Sequence, residues 1–391
     1  MRIPNCKLLI TVTSRVAARF LIVAVLAAAA ASPAAARTTD VHASGWWRGA
    51  PGEAVFVQTD NVAGNSIAVY DRAPDGTLAS AGTYPTGGLG GILGGAGADH
   101  LASQGSLVLD RTDGLLYAVN AGSNTVSMFA VHGDQLALLQ VISSGGTFPV
   151  SIAVHGDIVY VLNARNGASV QGYVRVGDRL VEVPGWQRNL GLDQNFQNTS
   201  TEFLHSPGQV VFTPDGSQLL VSTKDNTNAI NVFSVDRWGD LAPTPVVNGA
   251  GSIPFAMTFD RSGHLVVTET GTSSIVSFDV QPDGVLAPVS TVATGQAASC
   301  WITAVRPDLL YVSNAGSASE TGISDQAGHL AALGNTSTDP GTIDATGTPD
   351  GRYLYVQTGT NGVLDEFAVN PSGALAEIGS VAVGGEGIAA S

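Results

Sequence analysis

Residues 116–131, LYAVNAGSNTVSMFAV, read as an apolar strand ending at Asn120, a turn at Ala121-Gly122-Ser123-Asn124, and a second strand in which apolar and small polar residues alternate. The phrase returns six times: VFVQTDNVAGNSIAVYD from Val55, VYVLNARNGASVQGYV from Val159, LLVSTKDNTNAINVFSV from Leu219, LVVTETGTSSIVSFDV from Leu265, LYVSNAGSASETGISD from Leu310 and LYVQTGTNGVLDEFAV from Leu354. A valine marks the same place in each copy: Val57, Val119, Val161, Val221, Val267, Val312 and Val356, at spacings of 62, 42, 60, 46, 45 and 44 residues. The two long spacings hold insertions, a glycine-rich stretch at Gly87 to Gly97 and a polar loop at Gln187 to His205. A period of roughly 44 residues is that of a propeller blade.

Each unit carries two hairpin signals. Asp113-Gly114, Asp215-Gly216 and Asp350-Gly351 precede the marker strand, and Asp75-Gly76, Asp283-Gly284 and Ser372-Gly373 follow the alternating one. Such pairs supply the positive φ that tight hairpins need, so each unit folds into four short antiparallel strands. No stretch beyond the N-terminal region has a helical period, and the class is all-β. The first unit begins at its second strand, Ala54 to Gln58, and lacks the inner strand that reads Phe148 to Ala153 or Ile253 to Met257 elsewhere. Gly384 to Ala390 has that pattern. A seven-bladed β-propeller is therefore expected over 54–391, its C-terminal strand completing blade one and protecting the edges that an open array would expose.

Arg2, Lys7, Arg15 and Arg19, with no acid among them, precede the apolar run Phe20 to Ala31 and the small residues Ala34-Ala35-Ala36. This is the pattern of a signal peptide over 1–36, followed by an N-terminal arm over 37–53. It implies a secreted or periplasmic protein with no membrane span after cleavage. Cys6 falls in the signal and leaves Cys300 alone, so no internal disulfide is available. The formal charge of −15 excludes nucleic acid as a natural partner. Nothing in the composition demands self-association, and a monomer is expected.

Superposing the copies places Thr59, Asn120, Asn163, Thr223, Glu269, Asn314 and Thr358 at one equivalent position. If these strand ends face the central channel they form a polar ring with one carboxylate, suited to a small polar molecule. One step on stand Asp60, Ala121, Ala164, Lys224, Thr270, Ala315 and Gly359, and Lys224 is the only lysine after Lys7. Lys224 and Glu269 lie in neighbouring blades and would meet as an acid/base or ion pair; the bland alternative is a structural pair. No His/Cys cluster has zinc spacing, no acidic run matches a calcium loop, and no cofactor is implied. The run Gly87 to Gly95 reads as a flexible surface loop, and Cys300 beside Trp301 as a buried structural thiol.

The stretches SPGQVVFTPDGSQLLVSTKDNTNAI (206–230), LVVTETGTSSIVSFDV (265–280) and ASCWITAVRPDLLYVSNAGS (298–317) resemble the lactonase-type propellers, the family of 6-phosphogluconolactonase and the carboxymuconate lactone enzymes, and more loosely the YVTN repeats of surface proteins. The resemblance implies a histidine-rich stretch before the strand at Val210, a glutamate ending a strand of the next blade, and arginines on neighbouring blades. This chain keeps Glu269. The stretch before Val210 has one histidine, His205, at an offset position; Ala315 stands in place of one arginine, and Asn228 or Ala229 near another. Two functions stay open. One is a lactone hydrolase in which Glu269 activates water, Lys224 polarises the carbonyl, and Asn120, Asn163, Thr223, Asn314, Thr358 and His205 hold substrate. The other is a non-catalytic propeller that binds a small ligand, a glycan or a protein; a deep pocket around Glu269 would favour the first and a plugged channel the second.

Overall fold

The computed structural model describes residues 54–383 and 389–390. The expected signal peptide and N-terminal arm lie outside them, as do Gly384 to Ile388 of the proposed closing strand. The described residues form seven four-stranded antiparallel sheets set in a ring, a seven-bladed propeller. Blade two, for example, runs Leu107–Asp110, Leu115–Asn120, Thr125–His132 and Gln135–Ser143. The inner strands of blades three to seven are Pro149–His155, Gln209–Phe212, Pro254–Phe259, Ser299–Arg306 and Thr342–Gly347. Blade one closes as expected, Ala389 and Ala390 pairing antiparallel with Gln58 and Val57.

Burial explains the repeated phrase. A second strand is covered on both faces by neighbouring blades, so Leu115–Asn120 and Leu309–Asn314 are buried at every position and read as unbroken apolar runs. An outer strand such as Leu286–Ala293 has one wet face and alternates. Each Val or Leu so buried contributes roughly 1.5–3 kcal/mol. Six of the seven blades carry a register shift between third and fourth strands, at Val69/Tyr70, Met128/Phe129, Gln171/Tyr173, Ser277/Phe278, Gly322/Ile323 and Glu366/Phe367. A bulge there steepens the twist that lets blades stack radially.

Neighbouring blades are also tied by tyrosines of the second strands. Tyr160, Tyr311 and Tyr355 donate their hydroxyls to the carbonyls of Gly239, Gly373 and Gly76, each in the outer hairpin of the following blade, at 2.8, 2.8 and 2.7 Å. The Tyr355 bond joins blade seven to blade one, so ring closure rests on more than the short C-terminal strand. Tyr70 adds a bond to the Ala382 carbonyl at 3.0 Å. Among the described residues no helix is long and apolar enough to cross a membrane.

Candidate functional site

The seven equivalent strand ends do line up, but every one of them is buried. Each closes its own blade or the segment that enters it. Asn120 accepts from Asn65 Nδ2 at 3.0 Å and Thr86 Oγ1 at 2.7 Å, and donates to Thr125 Oγ1 and Ser127 Oγ. Asn163 donates to the Ser144 carbonyl, and Asn314 accepts from Ser299 Oγ at 2.6 Å while donating to Thr321 Oγ1. Thr223 and Thr358 bond the carbonyls of Ala229 and Val363 across their hairpins. The ring expected to hold a ligand is instead a set of hairpin locks.

Glu269 occupies the same lock in blade five. Its Oε2 accepts the Ser252 N–H at 2.6 Å, its Oε1 is buried without a partner, and a Cβ on Gly251 would fall 2.4 Å from Oε2. Burial pushes its carboxyl up to about 7 against the pull of the Ser252 N–H. Lys224 does not meet it, contrary to expectation. Its ammonium donates to the carbonyls of Ala102 at 2.7 Å and Phe203 at 2.5 Å and to Ser206 Oγ at 2.9 Å. The charge acting on it is Asp99; burial lowers its pKa to about 7 and Asp99 opposes the shift. The reason lies in the two insertions: the segment after the first supplies the Asp99 carboxylate and the Ala102 carbonyl, and the end of the second supplies the Phe203 carbonyl and Ser206 Oγ.

That insertion is packed rather than loose. Gly88 lies so close to Asn120 that a Cβ would stand 2.4 Å from its Cγ, and Gly94 donates its N–H to Glu202 at 2.8 Å. Glu202 in turn takes Arg165 through both oxygens, at 2.7 and 3.0 Å. Beyond them Asp99 to Gln104 crosses the ring of inner strands. Ser103 Oγ donates to the Val150 carbonyl of blade three, Gln104 N–H to Gly208 before blade four, and Trp301 Nε1 of blade six to the Ser103 carbonyl at 2.9 Å. Gln104 pairs with the Ile302 backbone in both directions, at 2.8 and 3.0 Å. Bonds to blades on opposite sides make this segment a plug, closing the channel at the end where the inner strands begin. His205 lies apart, stacked on Phe196 with ring centres 3.5 Å apart and bonded to the Thr201 carbonyl. Cys300 is buried, its thiol pushed up to about 12 by desolvation.

Below the plug the channel is open. A cavity of about 630 Å³ is lined by inner strands of blades two to seven and reaches His155 at the end of one such strand and Arg111 and Pro214 in the hairpins that follow two others. Register sorts its wall into layers. Ile152, Val210, Met257, Ile302 and Ala345 pair with the marker valines Val161, Val221, Val267, Val312 and Val356. The residues after them, Ala153, Val211, Thr258, Thr303 and Thr346, all line the cavity. Blades five, six and seven therefore offer hydroxyls on one side, while Leu107, Ala153 and Val211 are apolar on the other. The layer nearer the plug includes Gln209 and Asp344. Gln209 accepts the Met257 N–H through Oε1, which leaves its amide N–H₂ as a donor. Asp344 is 5% exposed; desolvation, with Asp99 adding to it, raises its carboxyl to about 8.

The sequence reading missed Asp344, Asp99 and the three threonines. Aligning the second strands selected residues that lock hairpins; aligning the inner strands in the same way would have shown a hydroxyl at one position of three successive blades.

Solved structures share this architecture. A protein of Lactobacillus plantarum superposes with a TM-score of 0.67 at 19% identity, covering 86% of this chain and 98% of its own. The periplasmic gluconolactonase PpgL of Pseudomonas aeruginosa gives 0.64 at 17% identity, over 86% and 99% of the two chains. The fold is that of the lactonase-type propellers. A Bacteroides uniformis protein provisionally named a 6-phosphogluconolactonase has the same TM-score at 20% identity, over 85% and 97%. No protein-family model and no curated protein matches this sequence.

Proposed function

We propose that this lactonase-type propeller is a binding protein that takes a small molecule into the central channel from the face opposite the plug. The observation that carries this reading is the Asp99 to Gln104 segment, which covers one end of the channel, occupies Lys224, and leaves a cavity of about 630 Å³ open at the other. A cavity of that size, part hydroxyl and part apolar, suits a ligand of roughly ten to twenty heavy atoms. The test is a thermal-shift screen of small molecules against the mature protein and a Thr303→Trp variant. Binding should raise Tm in the first and less or not at all in the second, whose indole narrows the channel beside Thr258 and Thr346; hits with an undiminished shift in the variant would refute the location.

Hydrolysis of a lactone is the second reading, favoured by the shared fold with the Pseudomonas gluconolactonase and by a carboxyl at Glu269 poised near 7. A panel of neutral and acidic lactones, with Lys224→Met and Glu269→Gln alongside, tests it. Turnover lost in both folded variants would make Lys224 and Glu269 catalytic, whereas the binding reading expects no turnover. The N-terminal pattern supports export to the periplasm or beyond, checked by sequencing the N-terminus of the mature protein. The protein is read as a monomer, checked by light scattering.

A further inference from the structure

We infer that the channel is a receptor for a small organic ammonium, an apolar body carrying one protonated amine, with Asp344 as its counter-charge. The inference rests on the channel reading above and names the ligand class. Among the described residues, three titratable side chains line the cavity: Arg111 and His155, exposed at the mouth, and Asp344, nine-tenths buried in the layer next to the plug. Asp344 Oδ1 accepts the N–H of Ala345 at 2.9 Å, and none of the salt bridges of the described residues includes Asp344. The groups acting on it through space are acids: Asp99 of the plug raises its carboxyl, and Glu320, on the third strand of blade six, is itself raised by Asp344. Lys224, the buried cation above, is bound by the backbone of the plug and insertion and faces Asp99.

A buried carboxyl with no cation beside it has two ways to be satisfied, a proton or a cation. An ammonium entering from the mouth supplies the cation, and its remaining N–H groups meet acceptors it can use, the hydroxyls of Thr303 and Thr346. Val108, Val154 and Val211, half-buried in the same wall, supply the apolar surface for the carbon skeleton. The excess of acids over bases, 32 against 17, favours the approach of a cation over that of an anion. Because the empty site holds a proton near neutrality, binding at pH 7 exchanges that proton for the ammonium, and affinity rises as the pH approaches 8.

Isothermal calorimetry with cyclohexylamine and its neutral isostere cyclohexanol tests this on the mature protein. The amine should bind at least tenfold tighter than the alcohol, tighter at pH 8 than at pH 6.5, and with an enthalpy that depends on the buffer's ionisation heat. Asp344→Asn, isosteric and folded by circular dichroism, should lose at least tenfold for the amine and leave the alcohol unchanged. Equal binding of amine and alcohol, or amine binding that survives in Asp344→Asn, overturns the inference while leaving the channel reading intact if Thr303→Trp still weakens binding. No binding of either compound also overturns the ammonium inference, and the thermal-shift screen then decides the channel reading alone.

Discussion

Glu269→Gln is the sharpest probe of the strand-end locks. The carboxyl is buried, its Oε2 takes the Ser252 N–H, and its Oε1 has no partner, so an amide fits the same place with its oxygen on Ser252. Burial raises the group from 4.5 to about 7. The folded state thus holds the proton more tightly than the unfolded chain does. The stabilising contribution is whole below pH 4.5 and is lost as the pH rises to about 7, with no further change above it. Two and a half units at about 1.4 kcal/mol each make roughly 3 kcal/mol, of which about 2 to 3 kcal/mol falls between pH 5 and pH 8. Urea unfolding of the wild type and of Glu269→Gln at those two pH values measures it. The wild type should lose about 2 to 3 kcal/mol more than the variant on going to pH 8. Parallel losses, within about 0.5 kcal/mol, would mean that Glu269 is ionised and solvated in the folded protein, and the account of it as a hairpin lock would fail.

Other outcomes follow from single contacts. Gly359→Ala would put a Cβ 2.1 Å from the Ala98 carbonyl, displacing the approach to the plug; it should cost about 1–3 kcal/mol by urea unfolding. Tyr355→Phe removes the bond to Gly76 that joins the last blade to the first, with an expected loss of about 1–2 kcal/mol. Lys224→Met leaves the Ala102 and Phe203 carbonyls unpaired and Asp99 without its cation, so a loss of about 3 kcal/mol is expected, with faster proteolysis at residues 99–104. Cys300, with its thiol raised to about 12, should resist a thiol reagent in the native protein and react fully in urea.

The fold was legible because it is written seven times. Buried second strands must be apolar on both faces and end in a residue that can close a hairpin, so the Leu-Tyr-Val-x-Asn phrase reports position, blade count and register together. The missing inner strand before Ala54 announced how the ring closes, and Ala389–Ala390 pairs there. The site was less legible because repetition reports what all blades share, whereas the channel is shaped by what one insertion does. Nothing in Asp99 to Gln104 signals that it crosses the ring, since its contacts with Val150, Gly208 and Ile302 join residues far apart in sequence. Lys224 looked like a partner for Glu269 because the two are near in blade order. The nearer acceptors are Ala102, in the segment that follows the glycine-rich stretch, and Phe203 and Ser206, at the end of the polar insertion.

The plug turns a tube into a cup. Whatever occupies the cavity arrives and departs through one opening, past Arg111 and His155, so no second molecule can drive the first out from behind. Residence time is then set by the occupant and the rim alone and is indifferent to the concentration of competitors outside.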